Sequence, residues 1–106
     1  MRELFVTRAA EADVLEIWTY LFEKSERAAD RAVDEIAAQY DLLLQFPLLG
    51  RRRPEFGSDY RSLADGRYVI FYRVTETRLE ISRVLHGVRD LTGLFASEVD
   101  EAEEDL

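Results

Sequence analysis

With 106 residues, 47% of them hydrophobic, and no cysteine, the chain has room for one core but not two, and disulfides are excluded. Its longest apolar runs, such as Leu42–Leu44 and Tyr68–Tyr72, fall far short of the roughly 20 residues that span a bilayer, and Met1–Thr7 does not resemble a signal peptide, so a cytoplasmic protein is expected. The formal charge of −8 argues against indiscriminate nucleic-acid binding, yet it is segregated: residues 1–49 hold 5 basic and 10 acidic side chains, residues 50–89 hold 9 and 5, and residues 90–106 hold none and 7.

In chain order, Glu3–Thr7 reads as a short strand, after which Thr7 caps a helix over about Ala9–Glu23. Val14, Ile17, Trp18 and Leu21 fall at i, i+3, i+4 and i+7 and make one apolar stripe. Ser25 caps a second helix over about Glu26–Gln45, whose stripe is Ala29, Ala32, Val33, Ile36, Tyr40, Leu43 and Leu44. So short a connection predicts an antiparallel helical hairpin with both stripes on a common surface, and Trp18, Tyr40 and Tyr72 are expected in the core.

Pro47 stops the second helix, and Gly50, Pro54 and Gly57 mark a loop to about Asp59. Three strands follow, Tyr60–Leu63, Arg67–Val74 and Arg78–Leu85, with links short enough for an antiparallel meander. On the middle one Tyr68, Ile70, Tyr72 and Val74 share one face while Val69, Phe71 and Arg73 share the other, so both faces need cover. On the last, alternation puts Arg83 with Leu79, Ile81 and Leu85, where a carboxylate must satisfy it, from this chain or from a partner. Val88–Phe95 is predicted to form a short helix. Ala96–Leu106 carries six acids in eleven residues and reads as a tail that is disordered, or held only by contact with a basic surface. The expected class is α+β, with one domain over residues 1–95 and an acidic tail over 96–106.

The stretch Tyr68–Asp90 sets arginines among apolar strand positions and brings the single histidine, His86, to the end of the last strand. All nine cations of residues 50–89 are arginine, whose planar fork suits carboxylates and phosphates. The element order, with PLLGRRRPEF, YRSL, YVIFYRV and LEISRVLHGVRDL in turn, resembles the ParE and RelE superfamily of toxins from bacterial type II toxin-antitoxin modules. The likeness covers about Arg2–Leu94 and is greatest to the ParE branch, where the last strand runs into His-Gly-x-Arg-Asp. It implies a toxin held inactive by a cognate ParD-like antitoxin. ParE-type members poison DNA gyrase, and RelE-type members cleave mRNA in the ribosomal A site.

The two branches demand different chemistry. Metal-independent RNA cleavage needs a base, cations for the phosphorane and an acid for the leaving oxygen. Arg61 and Arg83 are the candidate cations, His86 the acid or base, and Glu55 or Tyr72 the supporting group. RelE-like nucleases typically carry further lysines or a glutamate and a late tyrosine, whereas Lys24 is the single lysine here and no tyrosine follows Tyr72. The expected action is therefore protein binding by a ParE-like toxin, with no catalytic residues. Its partner-binding candidates are Arg51, Arg52, Arg53, Arg61, Arg73, Arg83, His86 and Arg89. The alternatives are an mRNA endoribonuclease and a non-toxic binding remnant. No phosphate loop, metal-ligand spacing or nucleophile turn occurs, so neither cofactor nor metal is expected.

Overall fold

A single threonine ends the first strand, starts the first helix and joins the two layers. In the computed structural model, which describes residues 1–86, β1 (Glu3–Val6) passes through Thr7 into α1 (Arg8–Phe22). The Thr7 hydroxyl accepts the Ala10 N–H at 3.1 Å and donates to the Ser82 carbonyl at 2.9 Å. The first bond satisfies an orphan amide of the helix, and the second fastens its start to the sheet. Ser25 caps α2 (Glu26–Gln45) in the same way, its hydroxyl accepting the Ala28 N–H at 3.2 Å. The helical hairpin thus forms as its caps and stripes predict.

The remaining elements are β2 (Arg51–Arg52), a 3₁₀ turn at Pro54–Phe56, β3 (Tyr60–Asp65), β4 (Tyr68–Val74) and β5 (Arg78–His86). They form one five-stranded sheet in the order β1-β5-β4-β3-β2. The β3-β4-β5 meander is antiparallel as expected, and β1 joins its β5 edge in parallel. Two differences from expectation change the strand pairing. Arg51–Arg52 pair with Ser62 and Arg61, making a short edge strand of part of the expected loop. β3 runs on to Asp65, leaving Gly66-Arg67 as a two-residue turn in which Gly66 supplies φ +58°, a conformation glycine adopts without steric cost.

The helices lie on one face of the sheet. Ile17, Ala32, Ile36 and Leu43 pack there with Tyr68, Ile70, Tyr72, Leu79, Ile81 and Val84, and Val14, Leu21 and Tyr40 flank them. Each fully buried Ile or Leu side chain contributes about 1.5–3 kcal/mol relative to exposure. Trp18 departs from the expected stripe. It sits half-buried on the hairpin, stacked on Phe22 at 4.7 Å, with its indole N–H donating to Asp30. On the opposite face Val69, Phe71 and Leu85 form a second cluster under Phe56, whose ring meets that of Phe71 edge-on at 6.2 Å.

The strict alternation expected of β5 fails at one place. Phe71 pairs with Arg83 and Tyr72 with Ile81, so Ser82 is an extra residue and the strand bulges. Beyond it the faces exchange: Val84 joins Leu79 and Ile81 in the main core, and Leu85 moves to the other side. Among the described residues no helix is long and apolar enough to cross a membrane. The predicted Val88–Phe95 helix, Arg89 and the acidic segment 96–106 lie outside the described residues.

Candidate functional site

Arg83, beside the bulge of β5, spends its charge on α1. Asp13, on the buried side of α1 and only 8% exposed, takes the Arg83 guanidinium in a two-pronged pair, Nε to Oδ2 at 2.7 Å and Nη2 to Oδ1 at 2.9 Å. The same Oδ2 accepts the Val84 N–H at 3.0 Å, just past the bulge. One carboxylate therefore holds both a cation and a backbone amide in the seam between α1 and β5. Of the two origins open for the partner of Arg83, a carboxylate of the chain itself is realised. Asp13 was missed in the sequence, although its place between Ala10 and Ile17 puts an acid on an otherwise apolar stripe.

A second arrangement fixes the chain between α2 and β2. The Tyr72 hydroxyl donates to the Pro47 carbonyl and accepts the Gly50 N–H, both at 2.8 Å. Arg61 Nη1 donates to the carbonyls of Gly50 at 2.9 Å and Leu48 at 3.3 Å. Burial raises the Tyr72 hydroxyl above its ordinary range, against the opposing pull of the Gly50 N–H and the Arg61 charge. Gly50 has no room for a side chain: a Cβ would lie 2.5 Å from the Tyr72 hydroxyl oxygen and 2.8 Å from the Ser62 carbonyl oxygen. The loop over residues 46–50 is thereby held by two side chains while Phe46, Leu48 and Leu49 remain 57%, 65% and 50% exposed.

The other candidates are spread around this frame. Arg51 and Arg52 are exposed on the edge strand, and neither has a carboxylate partner among the described residues. Arg53 lies over the Phe71 ring at 5.5 Å, donates to Ser62 Oγ at 2.8 Å and stands 3.8 Å from Glu55. Arg73 Nε is 3.1 Å from Glu80, close enough for an ion pair but out of line for a hydrogen bond. His86 ends β5 exposed, its ring 5.4 Å from that of Tyr68 and 6.5 Å from that of Tyr20. Tyr72, offered as a supporting group for cleavage, is spent on loop carbonyl and amide groups. The set named for RNA cleavage is thus divided among the α1 seam, the α2–β2 loop and the end of β5. Among the described residues no group of histidines and acids is placed to hold a metal ion. What the arrangement presents at the surface is the exposed guanidinium groups of Arg51 and Arg52 and the apolar side chains of Phe46, Leu48 and Leu49.

Residues 4–91 match the family described as ParE toxin of type II toxin-antitoxin system, parDE. The chain is similar to Toxin ParE1 of Caulobacter vibrioides, 39% identical over 88 residues that cover 81% of this chain and 90% of that protein. It is 30% identical to Toxin RelE3 of the same organism, over 83% of this chain and 97% of that one. A solved chain from the chromosomal ParDE TA system of P. aeruginosa superposes with a TM-score of 0.67 at 29% identity, covering 81% of this chain and 96% of that chain. Its fold is the α+β order described above.

Proposed function

Because this chain belongs to the ParE family of toxins of type II toxin-antitoxin systems, we propose that it acts in the cytoplasm by binding DNA gyrase as a protein ligand, and that a cognate antitoxin neutralises it. The observation that carries this reading is the division of Arg61, Arg83 and His86. Cleavage of RNA without a metal requires cations and an acid or base gathered around one phosphate. Here Arg83 is clasped by Asp13, Arg61 is turned to the Leu48 and Gly50 carbonyls, and His86 stands against tyrosine rings at a sheet end. Family membership supports the antitoxin half of the proposal. An antitoxin segment that folds on binding would bring carboxylates to the exposed arginines, Arg51 and Arg52 foremost.

The likeness to a RelE protein keeps mRNA cleavage as the second reading. A supercoiling assay with purified chain and gyrase separates the two. Inhibition of supercoiling is expected. Unchanged supercoiling, together with mRNA cut at codon positions on translating ribosomes and spared by His86→Ala, would overturn the proposal. Normal growth on induced expression would reduce the chain to a binding module.

A further inference from the structure

Of the eight exposed large apolar side chains among the described residues, three fall within four positions of one loop, while the others are spread over β1, α1 and the N-terminus. Phe46, Leu48 and Leu49 project from residues 46–50, each at least half exposed. The backbone beneath them is immobilised by two side chains reaching out of the sheet, Tyr72 to Pro47 and Gly50, and Arg61 to Leu48 and Gly50. A loop needing only to connect α2 to β2 would not require a buried tyrosine hydroxyl, an arginine and a glycine with no space for a Cβ. The cost of ordering these side chains is met on folding, so little remains to be met on binding.

The charges beside the loop specify what it fits. Arg52 lies directly across from Arg61 in the β2–β3 pairing, and Arg51 is its neighbour. Like charges placed opposite one another destabilise a sheet, and no carboxylate among the described residues relieves Arg51 or Arg52. Apolar knobs flanked by arginines that meet no carboxylate among the described residues match an apolar pocket rimmed by carboxylates. Three aliphatic and aromatic groups have nothing to gain from a phosphate backbone, so a protein fits better than a nucleic acid. A rigid projection also suits a preformed pocket better than a segment that folds as it binds.

Resting on the toxin reading above, we propose that Phe46, Leu48 and Leu49, flanked by Arg51 and Arg52, are the surface with which this protein enters an acid-rimmed apolar pocket of its protein target. Tyr72 and Arg61 are its positioning residues. The test uses the full chain, read by dose for growth arrest, by inhibition of gyrase supercoiling and by thermal unfolding. Leu48→Ser/Leu49→Ser is expected to lose at least tenfold in potency in both activity readouts with its unfolding midpoint unchanged. Arg51→Glu/Arg52→Glu is expected to lose a similar factor, with the loss shrinking as salt is raised. If the double serine variant unfolds early, Leu48→Asp alone carries the same expectation.

Full potency in folded loop variants would overturn the proposal. So would potency lost in the arginine variant alone, because that pattern belongs to contact with a polyanion such as RNA. Failure of the underlying toxin reading is recognisable separately: the unsubstituted chain would then arrest neither growth nor supercoiling, and the proposal would fall with it.

Discussion

The α1–β5 seam and the α2–β2 loop each depend on an arginine, and they dispose of its charge in opposite ways. In the seam, Arg83 meets Asp13 in a two-pronged pair beneath a helix, and the charge is cancelled inside the molecule. At the loop, Arg61 donates from Nη1 to two carbonyls, and among the described residues no carboxylate pairs with its charge, which lies across from Arg52. Neutralisation is what burial demands, since an unpaired ion there costs several kcal/mol or more. Near solvent no such demand exists, and a surplus of positive charge can be kept for an external acid. Residue type therefore does not reveal which arginines serve the fold and which serve a partner. The carboxylate within reach does.

The sharpest way to break this comparison is Asp13→Ala, which takes the two carboxylate bonds from the Arg83 guanidinium and the acceptor from the Val84 N–H. A loss of about 3 kcal/mol in urea unfolding is expected, much of it recovered when Arg83 is replaced as well. A single-variant loss below about 1 kcal/mol would mean that the seam is no more dependent on its charge pair than an exposed surface is.

Tyr72→Phe probes the loop side and removes two hydrogen bonds at once, one buried and one part-buried. It should cost about 2 kcal/mol, with faster hydrogen exchange at the Gly50 amide as the local sign. An unchanged exchange rate would show that the loop is held by other contacts.

A smaller effect is confined to alkali. The Tyr40 hydroxyl is buried without a hydrogen-bond partner among the described residues, and burial, then the charges of Asp13 and Glu11, push its pKa from 10.0 up to about 12. Below pH 10 the proton is held in both the folded and the unfolded chain and adds no pH dependence. From pH 10 toward 12 the unfolded chain releases it first, so stability falls through that window. Tyr40→Phe should flatten the decline measured by unfolding at stepped pH, and a decline that persists unaltered would place its origin elsewhere.

The smallest effect is expected from Arg73→Ala. Its pair with Glu80 is 40% exposed on the arginine side and lacks hydrogen-bond alignment, so a loss of no more than about 1 kcal/mol is expected, shrinking in salt. A larger loss would move Arg73 into the class of Arg83.

How much of this was legible beforehand follows the range of each interaction. Thr7 and Ser25 act on amides three residues away, and the stripes of α1 and α2 repeat with the helical turn, so caps, helices and hairpin could be read directly. The alternation of β4 is equally local, and it assigned Tyr68, Ile70 and Tyr72 to one face and Val69 and Phe71 to the other. The same rule misplaced Leu85, because one inserted residue at Ser82 reverses every later position and carries no local mark in the chain.

By itself, then, the sequence determined the α+β order, the helix limits, the meander and the family resemblance. The tertiary structure alone decided that β1 lies parallel to β5, that Arg51–Arg52 become an edge strand, and that Asp13 is joined to Arg83 across 70 positions of chain. Periodicity and capping are written in neighbouring residues, whereas the destination of a long charged side chain depends on which distant carboxylate or carbonyl the finished fold brings within three ångströms of it.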